Sequence, residues 1–218
     1  MRFATATAIA GALCFLLAAT ATAEVTTTHL DTDAELLDYL SDTLFVSEGR
    51  IGDLGGAATF ELDLGNDTGA PAVTAQHDWQ SGSSEPFTID YDNSTGLVTF
   101  TLGGKTLQYT TGYSDFDVIF IRGRAVETET SVSVDGIEVD GESIDDSVLA
   151  SGSGNGLDIL LIYGVDLNDG FTLNATAVLT WTGEPPTQSR LAFQVKTARS
   201  AIVESDDTSW GAVKSTYR

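Results

Sequence analysis

The stretch FTIDYDNSTGLVTFTLGGKTLQYT, from Phe87 to Thr110, limits what this chain can fold into more than any other part of it. Phe87, Ile89 and Tyr91 alternate with polar residues, and Asp92 to Gly96 supply turn chemistry. Val98, Phe100 and Leu102 alternate next, Gly103-Gly104 turn the chain, and Leu107 with Tyr109 open a third run. An amphipathic helix needs its apolar residues three or four positions apart, so a period of two denies it a continuous stripe. The spacing predicts an antiparallel meander with one face on a core and one in water.

Two other runs do not alternate. DVIFIR (Asp117 to Arg122) and LDILLIYG (Leu157 to Gly164) are continuously apolar, which predicts strands covered on both faces near the middle of the fold. Between them SVSVDGIEVDG reads as an Asp135-Gly136 hairpin or as a bulged strand, and Ala150 to Gly156 as a loop. The one helical segment is Asp31 to Leu40, where Thr32 and Glu35 fit a capping box and Leu36, Leu37 and Leu40 form a short apolar stripe. The expected architecture is all-β: a single antiparallel sandwich, jelly-roll-like, of roughly ten strands over residues 24–203, with a tail from 204 to 218.

Near the end, Phe171, Leu173, Ala175, Ala177, Leu179 and Trp181 share one face of a strand, and Leu191, Phe193 and Val195 share one face of the next. The loop TGEPPTQS between them predicts an antiparallel hairpin. Trp181 falls on the apolar face, at a strand end that leaves room for partial exposure. Trp79 alternates with Ala75 and His77 in the same manner. These two indoles are the candidate ligand-binding residues, because sugar rings stack their apolar faces on aromatic ones.

The first 23 residues read as a secretory leader: Arg2, an apolar core from Ile9 to Ala19, then Ala21-Thr22-Ala23 at a cleavage position. The expected product begins at Glu24 and is exported. Cys14, the only cysteine, lies inside that leader, so stability rests on a packed core without disulfides. The roughly 195 residues from Glu24 onward are enough for such a core. No later apolar stretch approaches the length of a membrane helix. Thirty-two acidic against 10 basic residues give a net charge of -22, which argues against nucleic acid and anionic lipid as partners.

Motifs that carry chemistry are few. Asp67-Thr68-Gly69-Ala70 matches the turn of aspartic proteases, but that chemistry needs two aspartates sharing a proton and the tetrapeptide occurs once. GVDLNDGF offers Asp166, Asn168 and Asp169 as calcium ligands in a Gly-closed turn, and DGESIDD offers Glu142, Asp145 and Asp146. Against both stands the ordinary β-turn, which favours the same residue types. His29 and His77 have no partner at metal-ligand spacing. A nucleophile elbow, a zinc-protease helix motif and a phosphate loop are all lacking. With so many carboxylates, a glycosidase pair has no signature by which to be picked out.

FTIDYDNSTGLVTFTLGGKTLQY, DVIFIRGRA and ILLIYGVDLNDGFTLNATAVLTWTGEPPTQSRLAFQVK, taken together, resemble the secreted bacterial choice-of-anchor W family, whose members resemble PEP-CTERM-type surface proteins. The resemblance runs from about Phe60 to Lys196, and Trp181, Pro186, Phe193 and Gln194 are its most specific positions. It implies export, a sandwich-type domain and no transferable catalytic residue. Beyond Lys196 no apolar anchor with a basic end follows, so the family's mode of surface attachment is not expected here. The functional expectation is a non-catalytic extracellular or cell-surface module that meets a polysaccharide or a matrix protein. The alternative is a carbohydrate-active enzyme or an aspartic-type protease.

Overall fold

The computed structural model of the chain describes residues 25–52, 60–66, 71–167 and 169–200. The leader, the Asp67–Ala70 motif, Asn168 and the C-terminal tail lie outside them. In chain order the elements are β1 (Thr26–Leu30), α1 (Asp33–Tyr39), β2 (Leu40–Ile51), β3 (Phe60–Gly65), β4 (Val73–Gln76), β5 (Ser84–Asp92), β6 (Leu97–Leu102) and β7 (Lys105–Thr110). There follow β8 (Val118–Ala125), β9 (Thr130–Val139), β10 (Glu142–Ser143), β11 (Val148–Ser151), β12 (Leu157–Tyr163), β13 (Phe171–Trp181) and β14 (Leu191–Ser200). The described residues thus hold fourteen strands rather than about ten. β4, β10 and β11, of four, two and four residues, are too short for alternation to reveal them.

All the strand pairs are antiparallel, in two seven-stranded sheets. Sheet A has the order β1-β12-β8-β14-β2-β3-β4; sheet B has the order β10-β9-β13-β5-β6-β7, with β11 also on β9. The meander expected between Phe87 and Thr110 is present as β5-β6-β7, with Phe87 opposite Leu102 and Phe100 opposite Leu107. The apolar faces of the two sheets meet in one core, a sandwich-like arrangement. Phe193 of β14 stacks on Phe87 of β5 at 5.0 Å, and Phe45 of β2 lies 6.4 Å from Phe171 of β13. Aromatic contacts of this kind add to the burial that drives the sheets together.

The two unbroken apolar runs become β8 and β12, neighbours in sheet A, buried on both faces as expected. Ile119, Ile121, Leu160 and Ile162 face sheet B. Val118, Phe120, Ile159 and Leu161 face outward into a second cluster with Leu30, Leu36 of α1 and Ala198. The helix therefore serves to cover the far side of sheet A. Its start follows the capping-box expectation: the Glu35 amide donates to Thr32 Oγ1 at 3.2 Å, and the Thr32 amide donates to Glu35 Oε2 at 3.0 Å.

Asp135-Gly136 belongs to a bulge and not to a hairpin. β9 runs unbroken through it, Asn174 pairs with Glu138, and the register shifts before Thr176 meets Asp135. Gly136 has φ +62°, a conformation that suits the extra residue of a bulge.

The expected hairpin of β13 and β14 is corrected. β13 lies in sheet B between β9 and β5, whereas β14 lies in sheet A between β8 and β2. The loop TGEPPTQS crosses from one sheet to the other. Its far end is tied to β2: the Ser189 amide donates to the carbonyls of Ile51 and Gly52, and Ser189 Oγ donates to the Gly52 carbonyl. Shared orientation toward the core is a property of facing strands as much as of paired ones, so face counting alone did not separate the two cases.

Candidate functional site

Trp79 is corrected as a ligand platform. Only 2% of it is exposed; His77 packs edge-on at 4.6 Å and Phe193 edge-on at 6.2 Å. Neither face of the indole is left for a sugar ring. Trp181 is half-buried against the core, and its backbone N–H and C=O are both bound to the Ser81 hydroxyl, at 2.9 and 2.7 Å. It ends β13 as a packing residue, and the structure does not bring the two indoles together on one surface.

The expected calcium turn is described only in part. Asp166 and Asp169 are exposed, with Leu167 between them buried, and Asn168 lies outside the described residues. No group of three His, Cys, Asp or Glu side chains among the described residues is arranged to hold a metal ion. Asp146 is committed elsewhere: Oδ1 is bound by His29 and by the Ser147 amide, and Oδ2 by Thr27.

One cluster of charge lies on the outer face of sheet A. There Arg50 of β2 binds Glu61 and reaches Asp63 of β3 at 2.7 Å, with Glu48 at 3.9 Å. All four side chains are nearly buried, at 7 to 13% exposure. Burial pushes the Glu48 carboxyl above its ordinary value, against the pull of Arg50 and a hydrogen bond from Gln194. This closed cluster holds strands together and offers no open position for a substrate.

The outer face of sheet B is different in kind. β13 presents Thr172, Asn174, Thr176, Val178 and Thr180 there, all half-buried. β5 and β6 add Thr88, Thr99 and Thr101, and β7 adds Thr106, Gln108 and Thr110. Cross-strand pairing orders these groups: Thr88 Oγ1 donates to Asn174 Oδ1 at 2.8 Å, and Thr172 Oγ1 donates to Asp90 Oδ1 at 2.8 Å. Thr101 and Thr106, directly opposed, have hydroxyls 3.4 Å apart. Such pairs fix side-chain orientation across a sheet.

An open trough of about 480 Å³ runs over this face, across β9, β13, β5 and β6. Thr88, Thr101, Asn174 and Thr176 form its floor, and glycines form its ends, Gly136 at the bulge and Gly104 at the β6–β7 turn. An added Cβ at either glycine would meet nothing within 4 Å, so both ends open to solvent. The only charged lining residue is Glu85, whose carboxylate lies 3.7 Å from His77 Nε2. In a chain of net charge -22 this is a hydroxyl- and amide-bearing surface with a single carboxylate in its lining. Four strands at about 4.8 Å spacing make it roughly 14 Å across, the reach of an oligosaccharide segment.

Sequence reasoning placed the polar faces of β5, β6 and β13 correctly but did not single out this trough. The signal available was the run of threonines at alternate positions in two distant segments, without anything to say that they adjoin. No protein-family model matches the chain, and no curated protein is significantly similar to it. No helix among the described residues is long and apolar enough to cross a membrane.

Proposed function

We propose that the chain is a secreted, non-catalytic β-sandwich, jelly-roll-like and of the choice-of-anchor W type. It acts outside the cell as an interaction or matrix module, and its ligand is a neutral polysaccharide held on the outer face of sheet B. One observation carries this reading: the trough lined by Thr88, Thr101, Asn174 and Thr176, with one carboxylate, on a strongly acidic molecule. Hydroxyl and amide groups at fixed spacing match the alternating donors and acceptors of a glycan, and the absence of charge in the floor suits an uncharged polymer. A polyanion would be repelled by the rest of the molecule.

Phe87, the aromatic residue of the lining, has its ring buried in the core against Phe193, so binding rests on hydrogen bonds. Three or four of them at about 1 kcal/mol net each place a single site near the millimolar range. Weak single sites are useful where ligand and protein are both repeated along a surface, since multivalency supplies the remaining affinity.

The test is retention of the chain on a panel of insoluble and surface polysaccharides, with calcium and with chelator. Saturable retention on an uncharged glycan is expected, and Thr101→Val with Asn174→Ala should reduce it about thirtyfold by removing two hydrogen bonds. Each change also removes a cross-strand hydrogen bond, to Thr106 and from Thr88 respectively, and should lower stability by about 0.5–1 kcal/mol, which leaves the fold intact. Retention on none of the polymers would refute the reading. Retention that ignores both substitutions would move the site off this face, and dependence on calcium would return the Asp166–Asp169 turn to consideration.

A further inference from the structure

β1 is the edge strand of sheet A and pairs only with β12. Its register places His29 opposite Leu160, so the imidazole points toward sheet B at the rim of the core. Two carboxylates meet it there. Nδ1 lies 2.7 Å from Asp158 Oδ1 on β12, and Nε2 lies 3.0 Å from Asp146 Oδ1 in the segment between β10 and β11, at the edge of sheet B. Both acids are themselves held: Asp158 Oδ2 accepts from the Leu149 amide at 2.7 Å, and Asp146 Oδ2 accepts from Thr27 Oγ1 at 2.8 Å.

The chemistry of imidazole makes this arrangement conditional. A neutral ring has one N–H, and an ionised carboxylate only accepts, so a neutral His29 satisfies one acid and turns a lone pair toward the other. Only the imidazolium donates to both. We propose that His29, Asp146 and Asp158 form a proton-operated latch. It ties β1 of sheet A to the 144–148 segment of sheet B while the ring carries both protons, and lets that edge open when one is lost.

Of the other charged groups near this edge, Asp145 beside Asp146 is exposed to solvent, and Asp31 and Asp33 are engaged elsewhere. Asp31, two residues along, accepts from Asn155 Nδ2 at 2.9 Å. Asp33 is bound in fork geometry by Arg122 on the outer face, and the Tyr163 hydroxyl is bonded to Thr28. Asp146 and Asp158 are thus the acids that set the state of the ring. Burial works against the charged ring, but the hydrogen bonds and charges of the two aspartates outweigh it and raise the His29 pKa above 6.5. Burial likewise works against ionised Asp146, yet the bonds from His29 and Thr27 hold its pKa below 3.8.

The signs follow from linkage. The His29 contribution is fully present below pH 6.5 and is lost as pH rises through the raised folded value. The Asp146 contribution is present above pH 3.8 and is lost as pH falls through the lowered folded value. The latch is closed between these limits and opens as pH rises above the upper one.

The experiment follows the His29 ring signals by NMR from pH 5 to 9 on the full chain, together with amide exchange over Thr26–Leu30 corrected for the intrinsic rate. Protection of β1 should fall on the order of tenfold or more with the same midpoint as the ring. In His29→Gln the β1 amides should exchange fast at every pH, and in Asp146→Asn the dependence should shrink while β5–β7 stay protected. If His29→Gln does not fold, the Asp146→Asn comparison decides. Protection of β1 that stays constant while the ring titrates would overturn the proposal. So would a fall with an unchanged midpoint in either variant.

Discussion

At Gly49 on β2 an added Cβ would stand 2.4 Å from the Phe193 ring and 2.9 Å from both Phe193 and Trp79. Two aromatic residues from different segments use the space that a side chain would take. Gly49→Ala should therefore destabilise the fold by about 1–3 kcal/mol, the usual cost of overpacking, read as a lower urea midpoint at unchanged slope. A loss of less than about 0.5 kcal/mol would mean that the aromatic pair shifts freely. The same pair explains why Trp79 was misread. The sequence showed it alternating with Ala75 and His77, but the missing side chain that lets it sink in belongs to a strand thirty positions earlier. Trp181 was legible to a greater degree, since its own strand carried the apolar face that it extends.

The bulge in β9 poses a different question, because Gly136 has room but an unusual backbone. With φ +62° and no atom within 4 Å of where a Cβ would stand, Gly136→Ala carries a conformational cost alone. That cost is about 1–2 kcal/mol for a left-handed non-glycine residue. Equilibrium unfolding of Gly136→Ala should show a loss of this size, with the trough end still open. A loss several times larger would place the residue in a packed setting. Elements differed in how plainly they could be read for the same reason. β5, β6 and β7 are joined by short turns, so pattern and pairing coincide. β13 and β14 each display a clear apolar face, yet the pattern specifies only that face and leaves the neighbouring strand open. Asp135-Gly136 allowed either of two local structures, and pairing with β13 across the sheet selects the bulge.

Between its described ends the chain passes from one sheet to the other six times, at the connections after β4, β7, β8, β11, β12 and β13. Every part of the trough comes from a different strand, with Thr88, Thr101, Gly136 and Thr176 brought side by side only by the order of sheet B. The fold class was readable because alternation is local; the site was not, because adjacency is a property of the whole assembly. The charge of -22 also acts on the whole assembly. Screening lengths shrink from about 10 Å at 0.1 M salt to about 3 Å at 1 M, so mutual repulsion among exposed carboxylates fades. The thermal midpoint should rise over that range, as measured by circular dichroism. A fall would show that exposed pairs such as Arg190–Glu127, 2.8 Å apart, outweigh the repulsion.

The position of β14 has one more consequence, for the order of events during synthesis. This strand lies between β8 and β2, and it alone joins β1-β12-β8 to β2-β3-β4. Until residues 191–200 have left the ribosome, sheet A exists at most as two fragments with no ladder between them. The other described strands of sheet A must then wait in an incomplete state for this one. The strands made before it therefore stay open to unfolding until that central ladder closes.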